Sequence, residues 1–295
     1  MKRNSILIAS ALTGSLVLAG YILYPLFQNK PKIYGLTINL NGSGGHQIVD
    51  VNFDTGLESN PRSLGIATSV YGLARKYVQS AGQNEGVVTA IEEASSACGS
   101  GTAFYVVDLN TGSNVKRGIA QGKKYIKDIE YNPIDNKLYG IYNDILIRVD
   151  NLGTCAAGTN GSPAQITELG KLGNVGSGPY SVSFDHLGTC YIISGKDHHR
   201  AAVQLPLIPN SSVNLNIIGS SVAVDASWSI PLVVTNINEA SCISGVTQII
   251  GLSYAATPSI PNAFFHFGNP NWTKKGTPWQ IIDYTSTAKK NSWIK

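Results

Sequence analysis

The densest run of side chains capable of chemistry is Gly195-Lys196-Asp197-His198-His199-Arg200. Two imidazoles and a carboxylate are ligand types that transition metals accept, and imidazole titrates near neutrality, so the same residues could act as an acid or base. Adjacent strand residues face opposite ways, however, so His198 and His199 share one ion only if the chain turns between them. The run therefore reads as a loop, with Asp197, His198 and His199 as binding residues; no catalytic residue, metal site or cofactor is assigned. Asp108-Leu109-Asn110-Thr111-Gly112-Ser113-Asn114 alternates oxygen ligands but lacks the later acidic residue of a calcium loop, and reads as an Asp-initiated turn. Trp272, in Gly268-Asn269-Pro270-Asn271-Trp272, is the aromatic residue best placed in a loop to stack on a sugar or anchor a partner. Metalloprotease, nucleophile-elbow, phosphate-loop and dinucleotide-binding signatures are absent.

The elements that must position these residues are short strands. An apolar-Tyr-Gly-apolar element recurs at Ile33–Leu36, Val70–Leu73 and Leu138–Ile141. An Asp followed closely by Gly closes β-branched or aromatic runs at Asp54, Asp108, Asp150 and Asp185. Asp accepts backbone N–H groups and Gly takes positive φ, so these are hairpin ends. The clearest unit predicts strands at 126–131, 137–142, 145–149 and 165–172, about the size of a propeller blade. The same template predicts 180–184, 189–194, 200–205 and 213–218, then 221–225, 231–235, 246–254 and 263–267. Upstream it gives 69–77, 86–92, 102–108 and 114–120, with 73–81 equally readable as a short helix. Strands at 33–40, 47–53 and 62–67 with one at 279–284 complete a fifth set. The expected architecture is all-β and β-propeller-like, with about five four-stranded blades closed by pairing of the N- and C-terminal strands.

The segment 132–150 (NPIDNKLYGIYNDILIRVD), with IYGLT and IVDVNFDTG near the start, resembles bacterial β-propeller repeat proteins of the YncE/NHL-like or uncharacterised surface-domain kind. The resemblance covers about 120–195. It implies a binding or scaffolding module and brings no catalytic motif.

Residues 1–32 stand apart from 33–295. Met1-Lys2-Arg3-Asn4 precedes an uncharged, largely apolar run from Ser5 to Phe27, long enough to cross a hydrocarbon core of roughly 30 Å. It reads as a signal-anchor, or as a cleaved signal peptide with a small-residue site near Ala19. Either places the body at the extracytoplasmic face of a cell envelope, anchored or secreted. The net charge of +4 comes without a long basic block, so nucleic acid is not expected as a partner. Cys98, Cys155, Cys190 and Cys242 show no CxxC pair, and four cysteines in an exported chain imply two disulfides. Cys155 and Cys190 fall at one face of neighbouring blades and Cys98 and Cys242 at the other, so the expected pairs are Cys155–Cys190 and Cys98–Cys242.

The functional expectation is a membrane-anchored, non-catalytic module that binds a protein or glycan. Loops 93–101, 173–179, 195–199 and 236–245 would form its binding face. Two alternatives remain: an exported hydrolase or lyase using Asp197, His198 or His199, and a self-assembling structural subunit of a surface or filamentous assembly.

Overall fold

Runs rich in Val, Ile and aromatic residues, broken by Asp–Gly and Asn–Asp turns, form nineteen strands in the computed structural model among the described residues. Those residues are 33–39, 45–51, 58–76, 84–92, 98–155, 161–178, 180–184, 187–194, 199–223, 232–233, 250–252, 264–266 and 279–286. The strands are β1 Ile33–Asn39, β2 Gln47–Val51, β3 Glu58–Ser63, β4 Val70–Arg75, β5 Glu85–Glu92, β6 Gly101–Asp108 and β7 Asn114–Gln121. Next come β8 Ile126–Tyr131, β9 Leu138–Tyr142, β10 Ile145–Asn151, β11 Gln165–Lys171, β12 Tyr180–Phe184, β13 Cys190–Ser194, β14 His199–Val203 and β15 Ile217–Ala223. The last are β16 Leu232–Val233, β17 Ile250–Leu252, β18 Phe264–His266 and β19 Trp279–Ser286.

They assemble into four four-stranded antiparallel sheets, ordered β19-β1-β2-β3, β4-β5-β6-β7, β8-β9-β10-β11 and β12-β13-β14-β15, and one three-stranded sheet, β16-β17-β18. β19 pairs antiparallel with β1, from Ile33 opposite Ser286 to Asn39 opposite Trp279. The first strands β19, β4, β8 and β12 neighbour one another in that order. The fold is all-β and propeller-like.

The apolar interior lies in layers between successive sheets. Tyr34, Leu36 and Ile48 pack on Leu73, Val88 and Val107. Ala74, Val87 and Phe104 pack on Ile126, Ile129 and Ile147. Tyr139, Ile141 and Leu146 pack on Val182, Phe184 and Ile192, with Tyr139 and Phe184 ring centroids 4.9 Å apart. Gly72 allows one such close approach. A Cβ there would sit 2.8 Å from Thr89 Oγ1 on its own sheet and 2.9 Å from Ile129 Cγ1 on the next.

Where five four-stranded blades were expected, the described residues form four four-stranded sheets and one of three strands. The expected separate strand at 221–225 is partly taken up by β15, which runs to Ala223 rather than ending at 218, and the sheet that follows has three strands. The strand expected at 62–67 lies at Glu58–Ser63 instead. Leu64 and Ile66 are buried, but in the connection to β4, and Pro61 is accommodated because β3 is an edge strand. The segment from 73 that was equally readable as helix is strand as far as Arg75.

The expected disulfides are also corrected: the bridge joins Cys98 to Cys155, with Cα atoms 6.3 Å apart. Loop type alone would put these residues at opposite ends of their sheets. Sheet twist swings the outer strand β7 toward the next sheet, and the segment after β10 folds back along its edge. Leu152 O accepts Gly118 N–H at 2.7 Å, and Ile119 O accepts Ala164 N–H at 3.0 Å. Thr154 pairs with Ser162 across this hairpin, bringing Cys155 to Cys98 in a small core with Ala103 and Ile119. Cys190 is buried outside the bridge, and Cys242 lies outside the described residues, as does the apolar run Ser5–Phe27.

Removing residues 277–295 deletes β19 and exposes a flank of β1. The truncated protein is expected to melt at lower temperature and less cooperatively in calorimetry. The bridge closes a separation of 57 residues, for which loss of denatured-state entropy predicts about 4 kcal/mol, with about 2–4 typical of measured cases. Cys98→Ser with Cys155→Ser should lower urea-unfolding stability by that order, and non-reducing peptide mapping should link Cys98 to Cys155.

Candidate functional site

Among the sequence-predicted site residues, Asp197, His198 and Trp272 lie outside the described residues. His199 begins β14, where it pairs with Ser194 on one side and Ala223 on the other. It therefore stands at the sheet end where β12 begins, beside the connection 195–198. The starts of β4 and β8 occupy the equivalent ends of their sheets, and there the described chain gathers a different set of side chains.

Tyr125, immediately before β8, is 48% exposed and adopts φ of +63°. A bulky residue in the left-handed region is uncommon and persists where its surroundings over-determine it. Two buried threonines do so here. Thr102 Oγ1 donates to Lys123 O at 2.7 Å and accepts Ile126 N–H at 3.1 Å, while Thr89 Oγ1 donates to Ile126 O at 3.1 Å. Both backbone groups of Ile126 are thus fixed, and the preceding ring is held outward.

Tyr125 meets Tyr71 of β4 edge to face, centroids 5.6 Å apart at 77°. Lys127 Nζ lies 5.7 Å from the Tyr71 centroid and 5.8 Å from that of Tyr125. An ammonium within about 6 Å of a ring face gains about 0.5–1 kcal/mol at an exposed site. Burial raises the Tyr71 hydroxyl pKa, opposed by a hydrogen bond with the Ser69 side chain and reinforced by Tyr125. One residue earlier, the Thr68 carbonyl is hydrogen bonded to His46. Burial outweighs that bond and lowers the His46 pKa, so the imidazole is neutral at pH 7. His46 Nδ1 and Thr68 Oγ1 are both buried atoms with no hydrogen-bond partner among the described residues. Below, Lys123 pairs with Glu168 and sits 4.8 Å from the Tyr142 ring centroid.

Asp128 follows Lys127 with φ of +47°, where the β8–β9 register shifts. Its carboxylate accepts Val182 N–H and is hydrogen bonded to Ser181, both on β12. The residue keeps some accessible surface, but protein surrounds its carboxyl. Desolvation pushes its pKa up to about 7, against the two hydrogen bonds. Two adjacent inner strands are therefore joined through a group that loses its proton near neutrality.

Sequence reasoning passed over Tyr71, Tyr125 and Lys127. Tyr71 was visible within the recurring Val70-Tyr71-Gly72-Leu73, but as a repeat. Tyr125-Ile126-Lys127 has the two-residue spacing that sets a tyrosine and a lysine on one strand face, and that was the available signal. Among the described residues no three His, Cys, Asp or Glu side chains converge as a metal site requires.

No protein-family model matches this chain. No curated protein matches it either. Among solved structures it is similar to a protein of unknown function from Bacteroides caccae, at 12% identity and TM-score 0.44, over 87% of this chain and 99% of that one. It is also similar to a Lactobacillus plantarum protein, at 14% identity and TM-score 0.39, over 81% and 66% of the two chains. A third is a luciferin-regenerating enzyme, at 10% identity and TM-score 0.42, over 79% and 76%. Similarity this slight brings neither an activity nor a ligand to this chain.

The raised pKa of Asp128 has a definite linkage sign. Between about pH 4 and pH 7 the folded protein holds a proton that the unfolded chain releases, so this residue's contribution to stability falls as pH rises through that window. Asparagine keeps the shape, tolerates positive φ and cannot ionise. Asp128→Asn should therefore melt above the parent at pH 8 and close to it at pH 4 in paired thermal scans.

Proposed function

We propose that this protein is a non-catalytic extracytoplasmic binding module whose ligand, a protein or glycan, docks at the sheet ends where β4, β8 and β12 begin. The observation that carries the reading is Tyr125, held outward in a left-handed backbone conformation by two buried threonines, with Tyr71 and Lys127 against it. The exposed Tyr125 ring, backed by a cation, suits stacking on a sugar ring, and on that ground we favour a glycan. His199 begins β14 at the equivalent end of its sheet, and we carry the sequence expectation for Asp197, His198 and His199 into this reading. The Cys98–Cys155 bridge fits an oxidising compartment, and the apolar run Ser5–Phe27 supplies a membrane anchor in this reading.

Binding of the full chain to an array of bacterial glycans tests the proposal. At least one ligand is expected, weakened tenfold or more by Tyr125→Ala with the melting temperature within a degree or two of the parent. Binding unchanged in Tyr125→Ala but lost in His198→Ala with His199→Ala would move the site to the 195–199 loop.

A further inference from the structure

The face carries a more specific chemical signature, and the inference from it rests on the binding reading above. His46, Thr68, Ser69, Tyr71, Tyr125 and Lys127 form an arc across three sheets, linked through the His46–Thr68, Ser69–Tyr71 and Tyr71–Tyr125 contacts. One end holds two buried polar atoms without a hydrogen-bond partner among the described residues, His46 Nδ1 and Thr68 Oγ1. The middle is aromatic. The other end is an ammonium set against both rings.

We propose that this face takes a glycan bearing hexuronic acid, with a sugar ring stacked on the exposed Tyr125 and its carboxylate on the Lys127 ammonium. The groups match in type. The apolar C–H face of a pyranose fits an exposed phenol ring. The Lys127 ammonium, 5.8 Å from the Tyr125 ring centroid, is near enough to meet a carboxylate carried by a sugar stacked on the open side of that ring. A neutral sugar would satisfy the aromatic contact but leave Lys127 without an anion. The inference therefore concerns charge, and the binding reading concerns the face.

Titration calorimetry of the full chain with trigalacturonic acid and with its methyl ester separates the two. The acid should bind at least ten times more tightly than the ester, with affinity falling as salt is raised from 50 to 300 mM. In Lys127→Gln the two forms should bind equally, and Tyr125→Ala should lose both. Equal binding of acid and ester by the parent, abolished by Tyr125→Ala, overturns the acid preference and leaves the binding face standing. Binding of either form that survives Tyr125→Ala overturns both readings. No binding of either form overturns the uronate proposal, and if Tyr125→Ala then removes capture of a purified protein partner, the face serves a protein.

Discussion

A sheet ends in a strand with one row of unpaired backbone groups, and this chain is arranged around covering those rows. The outer strands β7 and β11 are each met by the loop that precedes the last strand of the next sheet, and the chain just past β3 is met by the first residue of β7. At the end of β3, Asn114 donates its side-chain amide to Leu64 O. Along β7, Gly118 and Ile119 bond to Leu152 and Ala164; at β11, Lys171 N–H donates to Val213 O and Lys171 O accepts Leu215 N–H. The approach is close enough to dictate residue type. A Cβ at Gly118 would lie 2.4 Å from Leu152 O, and one at Gly170 would lie 2.7 Å from Leu215 Cδ2. Each bond contributes about 0.5–1.5 kcal/mol net, but the larger effect is to deny an open edge to other chains.

That constraint explains why strands were legible in the sequence and loops were not. Strand β8 starts at Ile126 and stops at Tyr131 as its pattern requires, because inner strands carry apolar alternation and end at Asx turns such as Asn132–Asn136. Outer strands carry a weaker signal. β3 contains Pro61 and is largely exposed, so hydrophobicity pointed to Leu64 and Ile66 next door. The segment 206–216 contains enough apolar residues to resemble a strand start, yet it lies over β11 while the strand begins at Ile217.

The cysteine pairing failed for the same reason. Assigning a loop to one face treats a blade as flat, whereas outer strands rotate far enough for the tip of one sheet to meet the far-end loop of the next. Nothing in the spacing of Cys98 and Cys155 encodes that rotation. The side chains of the proposed face were illegible differently. Tyr71 and Lys127 sit fifty-six positions apart, and only the adjacency of β4 and β8 sets them together, whereas the histidine pair was conspicuous because its residues are consecutive.

The covalent link between Cys98 and Cys155 also determines how the molecule answers tension. A pull along the chain is carried past β6, β7, β8, β9 and β10 through the sulfur bridge, so the 57-residue separation contributes almost nothing to the stretched length. At about 3.4 Å per residue, that withholds roughly 190 Å of extension while the bridge is intact. The enclosed segment includes Tyr125 and Lys127, so a pull on the two ends of the chain leaves the stretch that carries them unextended while the bridge holds.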